Sequence, residues 1–520
     1  MTTGSDVSAS SPAVSIRLHA DDDVVITRQQ LVSGSVLTEE GLTVSGLIPP
    51  GHKVAVRDVQ AGAPVRRYGQ IIGFATQAIR RGQHVHVHNL GMADFERDAA
   101  QVATLDARAT VLVPQPASFM GIVRGDGRVA TRNYVGILTS VNCSATVARA
   151  IADRFRRDIF PEALADFPQV DGVVALTHSA GCAVDSEGEA LQLLRRTLAG
   201  YARHPNFAAV LVIGLGCETN QIPAWIQAEG LQAGPVLQTY TIQDSGGTAL
   251  AVQRGLDAVR AMLPAANAVQ RVPVPASHLV VGLQCGGSDS YSGVSANPAL
   301  GAAVDRLVRH GGSAMLSETP EIYGAEHLLV RRAQSAEVGA RLLARIAWWE
   351  AYCQRMGADM NNNPSAGNKA GGLTTILEKS LGAVAKGGTT NLVEVLEYAQ
   401  PITRHGLVFM DTPGYDPVSA TGQVAGGANL ICFTTGRGSA YGCAPVPSMK
   451  LGTNSLLWQR QEADIDINCG GVVDGETTVD QMGEEIFQAL LRMASGERSK
   501  SEIHGYGQNE FVPWQLGAVT

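Results

Sequence analysis

The chain has 520 residues, 45% of them hydrophobic and 58 of them glycine, which predicts three or four domains of about 150 residues and an α/β protein with many tight turns. Its net charge of −8 and the lack of a basic run argue against nucleic acid or an anionic membrane as a partner. The first residues are polar and no apolar run reaches about 18 residues, so we expect a cytoplasmic protein with no signal peptide and no membrane span.

The amino-terminal part of the sequence predicts a tail, a small β domain and a linker. Residues 1–14 are rich in Ser, Thr and Ala and lack periodicity, which is typical of a disordered tail. Residues 15–95 contain short apolar runs separated by Gly, Pro and Asp, which predicts an all-β domain. Residues 96–118, which include VPQPAS, show no clear strand and form the predicted linker.

An alternating HVHVH segment lies within the predicted β domain. The alternation places His84, His86 and His88 on one face of a strand and Val85 and Val87 on the other. From that face the imidazoles could reach a metal or a substrate. A strand face open to solvent would give the same pattern, so both interpretations stay open at this point.

From residue 119 onward, apolar strands alternate with amphipathic helices. This rhythm predicts two α/β domains, 119–272 and 273–520, each built on a largely parallel, buried sheet. Many of the predicted strands end in loops rich in glycine and polar residues, namely HSAGC (178–182), GLGCE (214–218), QCGGSDSYSG (284–293) and TGRGSAYG (435–442). Because ligands bind at the carboxyl ends of parallel strands, these loops are the predicted sites.

Thiols, an imidazole and a carboxylate follow these strand ends. Cys143 lies at a predicted helix start, His178 and Cys182 in HSAGC, and Cys217 and Glu218 in GLGCE. These side chains suit a borderline divalent metal such as Fe(II), Mn(II) or Zn(II). Three thiols from different loops could also hold an iron–sulfur cluster, although the usual short spacings are absent. Each cysteine alone is equally well explained as a small buried residue.

Cations in glycine-rich loops suggest recognition of an anion. Lys369 lies in SAGNKAGG (365–372), Arg437 in TGRGSAYG and Arg132 in RGDGRVATRN (124–133). Arginine binds carboxylates through a planar fork and lysine acts as a point charge. A dinucleotide site is disfavoured because GLGCETN lacks the third glycine, TGRGSAYG has it only loosely, and no acidic residue with strand context follows TGRGSAYG at about 20 residues.

Taken together, these segments resemble the altronate/galactarate dehydratase family of sugar-acid lyases. The similarity runs from about residue 15 to the C-terminus through GHKVAVRDV, RYGQIIGFA, GRVATRN, NCSATVA, HSAGC, VIGLGCE, QCGGSDSYSG, SETPEIYGAE, NPSAGNKAGG, EKSLG, TTGRGSAYG and TNS. The resemblance implies an N-terminal β-clip domain of the SAF type, a middle domain, and a C-terminal Rossmann-like domain with a metal site. It also implies a homodimer and a cofactor of Fe(II), with Mn(II) as the alternative.

The reaction implied by the resemblance is dehydration of a hexonic or hexaric acid to a 2-keto-3-deoxy acid. The segment HVHVHN matches a His-rich segment that galactarate-type sequences lack, which favours an altronate-like aldonic acid over a galactarate-type aldaric acid. Two departures, Ala180 where relatives often have Tyr and Gln284 where Glu occurs, bear on substrate choice. A sulfolactate sulfo-lyase on the same scaffold and a non-catalytic sugar-acid sensor are the alternatives.

The expected mechanism is β-elimination of water across C2–C3, in which a base removes the C2 proton, an acid protonates the leaving hydroxyl and a metal stabilises the enediolate. The hypothesis assigns Lys369, His178 and Arg437 as catalytic residues. The predicted metal ligands are Cys143, Cys182, Cys217, Glu218, Cys285 and Glu318. The predicted substrate ligands are Arg132, Asn133, Ser288, Asp289, Asn368 and Lys450.

Overall fold

The computed structural model of the chain describes residues 13–93 and 105–517. Most of the predicted tail (1–14) and the first part of the predicted linker (96–118) lie outside these described residues. In the part of the chain that is described, the helices are too short or too polar to cross a bilayer.

The N-terminal unit is built from short antiparallel strands. They are β1 (Ser15–Ile16), β2 (Val24–Thr27), β3 (Val36–Leu37), β4 (Leu42–Thr43), β5 (Lys53–Ala55), β6 (Pro64–Arg67), β7 (Gln70–Ala75), β8 (His84–Val85) and β9 (Leu90–Gly91). They pair as β1-β2-β5-β8, β6-β7-β9 and β3-β4. Val25, Val54, Val65 and Ile72 are fully buried between these small sheets, so the short apolar runs form the core that the sequence predicted.

The HVHVH segment is not one continuous strand. Strand β8 ends at Val85, and the chain then turns, with Asn89 accepting a hydrogen bond from His86 N and donating one to His84 O. The predicted strand over the whole segment is therefore wrong. The imidazoles nevertheless cluster, because the rings of His84 and His86 stack at 5.4 Å and the ring of His88 lies 5.4 Å from that of His84.

The middle unit contains a four-stranded parallel sheet. Its strands are β12 (Tyr134–Thr139), β13 (Gly172–Leu176), β14 (Phe207–Gly214) and β15 (Leu237–Thr241), in the order β13-β12-β14-β15. Helices cover both faces, namely Ala145–Ala152, Glu189–Ala202, Ile222–Ala228 and Thr248–Asn267. A separate antiparallel sheet of β10 (Ser118–Val123), β11 (Val129–Ala130) and β16 (Arg271–Pro275) joins the two ends of this unit.

The C-terminal unit is organised around a seven-stranded parallel sheet. Its strands are β17 (Val280–Cys285), β18 (Ser313–Leu316), β19 (Leu392–Leu396), β20 (Leu407–Met410), β21 (Leu430–Thr435), β22 (Ser448–Gly452) and β23 (Ile467–Asn468). The order β19-β20-β18-β17-β21-β22-β23 places β17 between β18 and β21. The direction of winding changes there, so a crevice is expected beyond the carboxyl end of β17.

Helices flank this sheet on both faces. They are Ala296–Arg309, Glu326–Val330, Ala336–Met356, Ala366–Ala370, Ile376–Val384, Asp416–Ala425, Ser455–Arg460, Gly470–Asp474, Val479–Ala494 and Lys500–Ile503. The predicted fold class, a small β-clip domain followed by α/β domains with a largely parallel sheet, is confirmed.

A buried ion-pair triad joins the N-terminal unit to the C-terminal one. Lys53 Nζ lies 2.9 Å from both carboxylate oxygens of Glu378, and Arg67 donates to Glu378 Oε1 at 2.6 Å. All three side chains are at most 1% exposed. Burial alone would raise the pKa of Glu378, but the two cations outweigh it and lower that pKa to about 2.

Replacing Glu378 with glutamine is expected to lower the free energy of unfolding by about 3–5 kcal/mol, because two cations would stay buried without a counter-charge. Urea denaturation followed by circular dichroism measures the change. The matched control is Glu484→Gln, whose carboxylate pairs with Arg306 and is 51% exposed, and it should shift stability by less than about 1 kcal/mol. Equal small shifts in both variants would contradict the structural role of the triad.

Candidate active site

The crevice at the end of β17 contains a buried group of acids and lysines. Cys285 is the last residue of β17, Glu318 and Glu321 follow β18, and Lys379 and Lys386 come from the helical segment after SAGNKAGG. Lys386 Nζ lies 2.9 Å from Cys285 Sγ, and Lys379 Nζ lies 2.8 Å from Glu321 Oε1. All five side chains are buried. We call these five residues the β17 group.

Glu318 is the least satisfied member of the β17 group. Its side chain is 0% exposed, and among the described residues neither carboxylate oxygen accepts a hydrogen bond. Its nearest cation is Lys386, whose Nζ lies 3.5 Å from Oε2. Its backbone is also left-handed, with φ 69° and ψ 67°. Buried unpaired carboxylates and left-handed non-glycine residues both cost free energy and concentrate at functional sites.

The electrostatics of the β17 group indicate a shortage of positive charge. Burial, reinforced by the neighbouring Glu321, raises the pKa of Glu318 well above its usual range. Burial and Glu321 also raise the pKa of Asp416, which lies at the rim of the group, to about 7. Burial raises the pKa of Cys285 to about 12, although Lys386 opposes it. An added cation would let these acids ionise.

The donor atoms of the β17 group fit a divalent metal. Ligand atoms of Cys285, Glu318 and Glu321 all lie within 4.8 Å of one another. A thiolate with two carboxylates is a donor set that borderline divalent ions such as Fe(II) accept. Gly286 leaves room for this arrangement, because a Cβ at that position would collide with the Asp416 carboxylate. The residues present therefore fit the metal that the resemblance implies.

A second group of possible ligands comes from the β-clip unit. Ligand atoms of His52, His84 and His86 lie within 4.8 Å of one another, and His52 Nδ1 lies 3.0 Å from His84 Nε2. His86 Nδ1 is buried and has no hydrogen-bond partner among the described residues. Burial lowers the pKa of His84 to about 4 and that of His86 to about 3, so both rings are neutral at neutral pH. His52 Nε2 lies 3.3 Å from Ala370 O, which places the group beside SAGNKAGG.

Three glycine-rich loops meet beside these imidazoles. Asn368 Nδ2 donates to Ser288 O at 2.8 Å, which joins SAGNKAGG to QCGGSD. A Cβ at Gly287 would lie 3.3 Å from the Cβ of Arg437, which places TGRGSAYG beside the same turn. Lys369 is half-buried and Arg437 is exposed. The structure therefore brings both predicted catalytic cations to one crevice.

Three other predicted substrate ligands in this crevice make hydrogen bonds that hold the site loops in place. Asp289 is buried and accepts hydrogen bonds from Thr453 Oγ1 at 3.0 and 3.1 Å. Asn368 Oδ1 accepts from Ser365 N at 2.9 Å and completes a capping box. Lys450 Nζ donates to a carbonyl of the TGRGSAYG loop at 2.9 Å. These side chains position the loops, and direct contact of any of them with substrate stays a prediction.

The predicted ligands of the middle unit lie at a different sheet edge. Cys143, Cys182 and Cys217 follow β12, β13 and β14 and are exposed. His178 Nε2 lies 2.8 Å from a carbonyl of β12, and Glu218 accepts a hydrogen bond of 2.5 Å from a serine hydroxyl. Among the described residues, no ligand set combines these side chains with the β17 group. The expectation of one centre shared by HSAGC, GLGCE and QCGGSD is wrong, because each parallel sheet has its own carboxyl edge.

Arg132 and Asn133 are structural residues. Arg132 donates to both carboxylate oxygens of Glu502 at 2.6 and 2.9 Å, and its side chain is 2% exposed. Asn133 Nδ2 donates to Gln169 O and Ala266 O at 2.7 and 2.9 Å. The prediction that they bind substrate is wrong because their donors are already taken inside the protein.

Sequence reasoning missed several members of the site. Glu321, Lys379, Lys386, Asp416 and His52 were not among the predicted residues. One signal could have found the lysines, since Lys379 and Lys386 are the two cations in a largely apolar segment, ILEKSLGAVAKGG. His52 directly precedes the buried strand β5. It lies near HVHVH because β5 pairs with β8, and the spacing of residues in the sequence does not show that pairing.

Models of known families match the three units of the chain. Residues 13–93 match the altronate/galactarate dehydratase SAF domain. Residues 121–267 match the second domain of D-galactarate dehydratase/altronate hydrolase, and residues 276–519 match the C-terminal domain of D-galactarate/altronate dehydratase.

Curated relatives match almost the whole chain. Galactarate dehydratase (L-threo-forming) of Escherichia coli (strain K12) is 39% identical over 97% of both chains. Altronate dehydratase of Bacillus subtilis (strain 168) is 32% identical over 94% of this chain and 97% of its own. The beta subunit of (2R)-sulfolactate sulfo-lyase from Chromohalobacter salexigens is 33% identical over 77% of this chain and 97% of its own. These matches confirm the resemblance of the motifs over nearly the full length of the chain. The chain therefore belongs to the altronate/galactarate dehydratase family.

Proposed function

We propose that this chain is a sugar-acid dehydratase, a hydro-lyase that removes water across C2–C3 and releases a 2-keto-3-deoxy acid. The observation that carries the proposal is the buried Glu318 carboxylate, which lacks a hydrogen-bond partner and lies beside Cys285 and Glu321. These three side chains would hold Fe(II), with Mn(II) as the alternative. When bound, the cation supplies a Lewis acid that stabilises negative charge on the substrate carboxylate.

Lys369 and the imidazoles of His84 and His86 are the groups assigned to proton transfer. Elimination needs a base at C2 and an acid at the leaving hydroxyl. Lys369 lies on a helix fixed by a capping box, one residue from the carbonyl that contacts His52. We assign Lys369 as the base or, in its charged form, as the stabiliser of the enolate. The proton removed from C2 balances the one that the leaving hydroxyl needs, and the neutral rings of His84 and His86 can accept that proton and pass it on.

Arg437 binds the sugar acid through its carboxylate. Arg437 is exposed at the crevice and lies beside the turn at Gly287, which is two residues after Cys285 in the sequence. A planar fork suits a carboxylate better than a single ammonium does. His178 is held in the middle unit by a carbonyl of β12, and we give it no part in these steps.

The substrate class has two candidates. The imidazole group formed by His52, His84 and His86 favours an altronate-like aldonic acid, as the HVHVHN segment suggests. The 39% identity with galactarate dehydratase, against 32% with the altronate dehydratase of B. subtilis, favours an aldaric acid as the second candidate. The homodimer that the resemblance implies and the cytoplasmic location expected from the sequence composition are further proposals, checked by light scattering and cell fractionation.

A substrate panel tests the activity directly. Anaerobically purified protein with Fe(II) and a reductant is expected to convert an aldonic acid into a 2-keto-3-deoxy acid, detected as its coloured thiobarbiturate adduct. Aldaric acids and sulfolactate complete the panel, with sulfite followed for the latter. Tight binding without turnover would support a sensor, and full turnover after exhaustive chelation would exclude the metal.

Glu318→Gln tests the metal ligands. The substitution keeps the volume and removes the charge, so we expect activity and the affinity for the metal to fall by at least about a hundredfold. The matched control is Glu394→Gln on β19 of the same sheet, whose carboxylate accepts from Thr403. Unchanged metal affinity in the Glu318 variant, measured by equilibrium dialysis, would rule the β17 group out as the site.

Lys369→Ala tests proton transfer. We expect kcat to fall about 10²–10⁴-fold with little change in the binding of metal. Lys500→Ala is the control, since Lys500 lies in the C-terminal helix Lys500–Ile503 and is not part of the crevice. A loss confined to KM, with kcat unchanged, would show that Lys369 binds substrate and is not the base.

A further inference from the structure

The middle unit presents three thiols along one sheet edge. Of the eight cysteines, Cys143, Cys182 and Cys217 are exposed, whereas the remaining five are buried or half-buried. The exposed three follow β12, β13 and β14, and these strands are direct neighbours, with β12 in the middle. Free cysteine is ordinarily among the most buried residue types. Three exposed thiols at one sheet edge therefore indicate a ligand-binding site.

Hydrogen bonds hold the three cysteine loops together. Asn142 N donates to Ala180 O at 3.0 Å, which joins the first loop to the second. Asn220 N donates to Gly181 O at 3.0 Å, which joins the third loop to the second. Asn220 Nδ2 donates to Ser140 O at 3.1 Å, which joins the third loop to the first. Each cysteine lies within three residues of one of these bonds, so the thiols share one rigid edge.

Glycines and a carboxylate fix the approach of the loops. Gly181 and Gly216 precede Cys182 and Cys217 with φ of 104° and 129°, which side chains other than hydrogen rarely allow. A Cβ at Gly181 would collide with the carbonyl of Ser140. Glu218 is 3% exposed and is held by Ser140 Oγ at 2.5 Å and Gly216 N at 2.6 Å. Glu218 thus holds the loops in place, and the thiols are available to bind a ligand.

The spacing of the thiols argues against a single shared ion. Four ligands on one tetrahedral ion with metal–sulfur bonds of about 2.3 Å place their sulfurs about 4 Å apart. The three thiols are absent from the described ligand sets whose atoms all lie within 4.8 Å. In an iron–sulfur cluster each cysteine binds a different iron, so the sulfurs lie farther apart.

We propose that Cys143, Cys182 and Cys217 bind a 4Fe–4S cluster at the carboxyl edge of the middle sheet. Three thiolates leave one iron without a cysteine ligand. Because the edge is exposed, that iron is open to water, to a small carboxylate and to molecular oxygen. The cluster site is separate from the β17 group and stands whether or not that group binds a catalytic ion.

Chemical analysis of the full chain tests the cluster. Protein purified anaerobically and reconstituted with Fe(II), sulfide and a thiol reductant is expected to hold roughly four iron and four acid-labile sulfide ions per chain in the cluster. Broad visible absorption and an electron paramagnetic resonance signal on reduction or oxidation should accompany them, and air should bleach the absorption. Iron without labile sulfide would overturn the proposal.

Cysteine variants locate the cluster. Cys143→Ser, Cys182→Ser and Cys217→Ser are each expected to lower labile sulfide at least about tenfold, while thermal unfolding checks that the variants fold. Cys353→Ser, at a half-buried thiol elsewhere, is the control and should keep the full signal. Cys285→Ser should also keep it, which separates the cluster from the proposed divalent ion. A cluster that survives replacement of all three exposed cysteines would refute the assignment.

Discussion

The arrangement of the site depends on the buried ion-pair triad of Glu378, Lys53 and Arg67. Buried charges are tolerated only when they are paired and hydrogen-bonded, and in this arrangement Glu378 of the C-terminal unit pairs with both cations of the β-clip unit. The same cations also bind the site loops, since Lys53 Nζ donates to Gly372 O at 2.6 Å and Arg67 donates to Ser290 O at 2.7 Å. The triad therefore fixes the imidazoles of the β-clip over the crevice loops of the C-terminal unit.

Two buried glutamates of this protein show opposite electrostatics. Glu378 accepts hydrogen bonds from Lys53, Arg67 and Thr374, and these partners lower its pKa against the effect of burial. Glu318 accepts none among the described residues, and burial raises its pKa. A carboxylate that is already neutralised gains little from an added cation, whereas Glu318 has no hydrogen bond and only Lys386 at 3.5 Å to balance its charge. This contrast is why the metal is placed at Glu318, which also has a strained backbone.

Sequence patterns predicted the fold class and the strand ends at the site, but they did not predict which strand ends meet. The strand–helix rhythm placed Cys285 and Glu318 correctly after β17 and β18. It assigned Cys182 and Cys217 to the other α/β domain, but it did not show that their loops would stay apart from Cys285, because local spacing does not reveal which sheet edges meet. Arg132 looked like a free cation in a glycine-rich turn, and only the fold reveals its partner Glu502, 370 residues away. The spacing of residues along the sequence does not reveal ion pairs between residues this far apart.

The distribution of lysine supports the location of the crevice. Only six of the 40 basic residues are lysines, namely Lys53, Lys369, Lys379, Lys386, Lys450 and Lys500. Lys53, Lys379 and Lys386 are buried in contact with carboxylates or a thiol. Lys369 lies on the short helix Ala366–Ala370, next to the Ala370 carbonyl that contacts His52 of the β-clip unit. An ammonium is compact and its pKa responds to its surroundings, whereas a guanidinium is large and always charged.

A chain that otherwise uses arginine thus keeps lysine mainly where a small cation must fit among acids. With a net charge of −8, the protein as a whole repels an anionic sugar acid. Lys369 and Arg437 at the crevice offset that repulsion locally. The acids of the β17 group lie in the same crevice, and the cation proposed to bind them would add positive charge close to the substrate carboxylate.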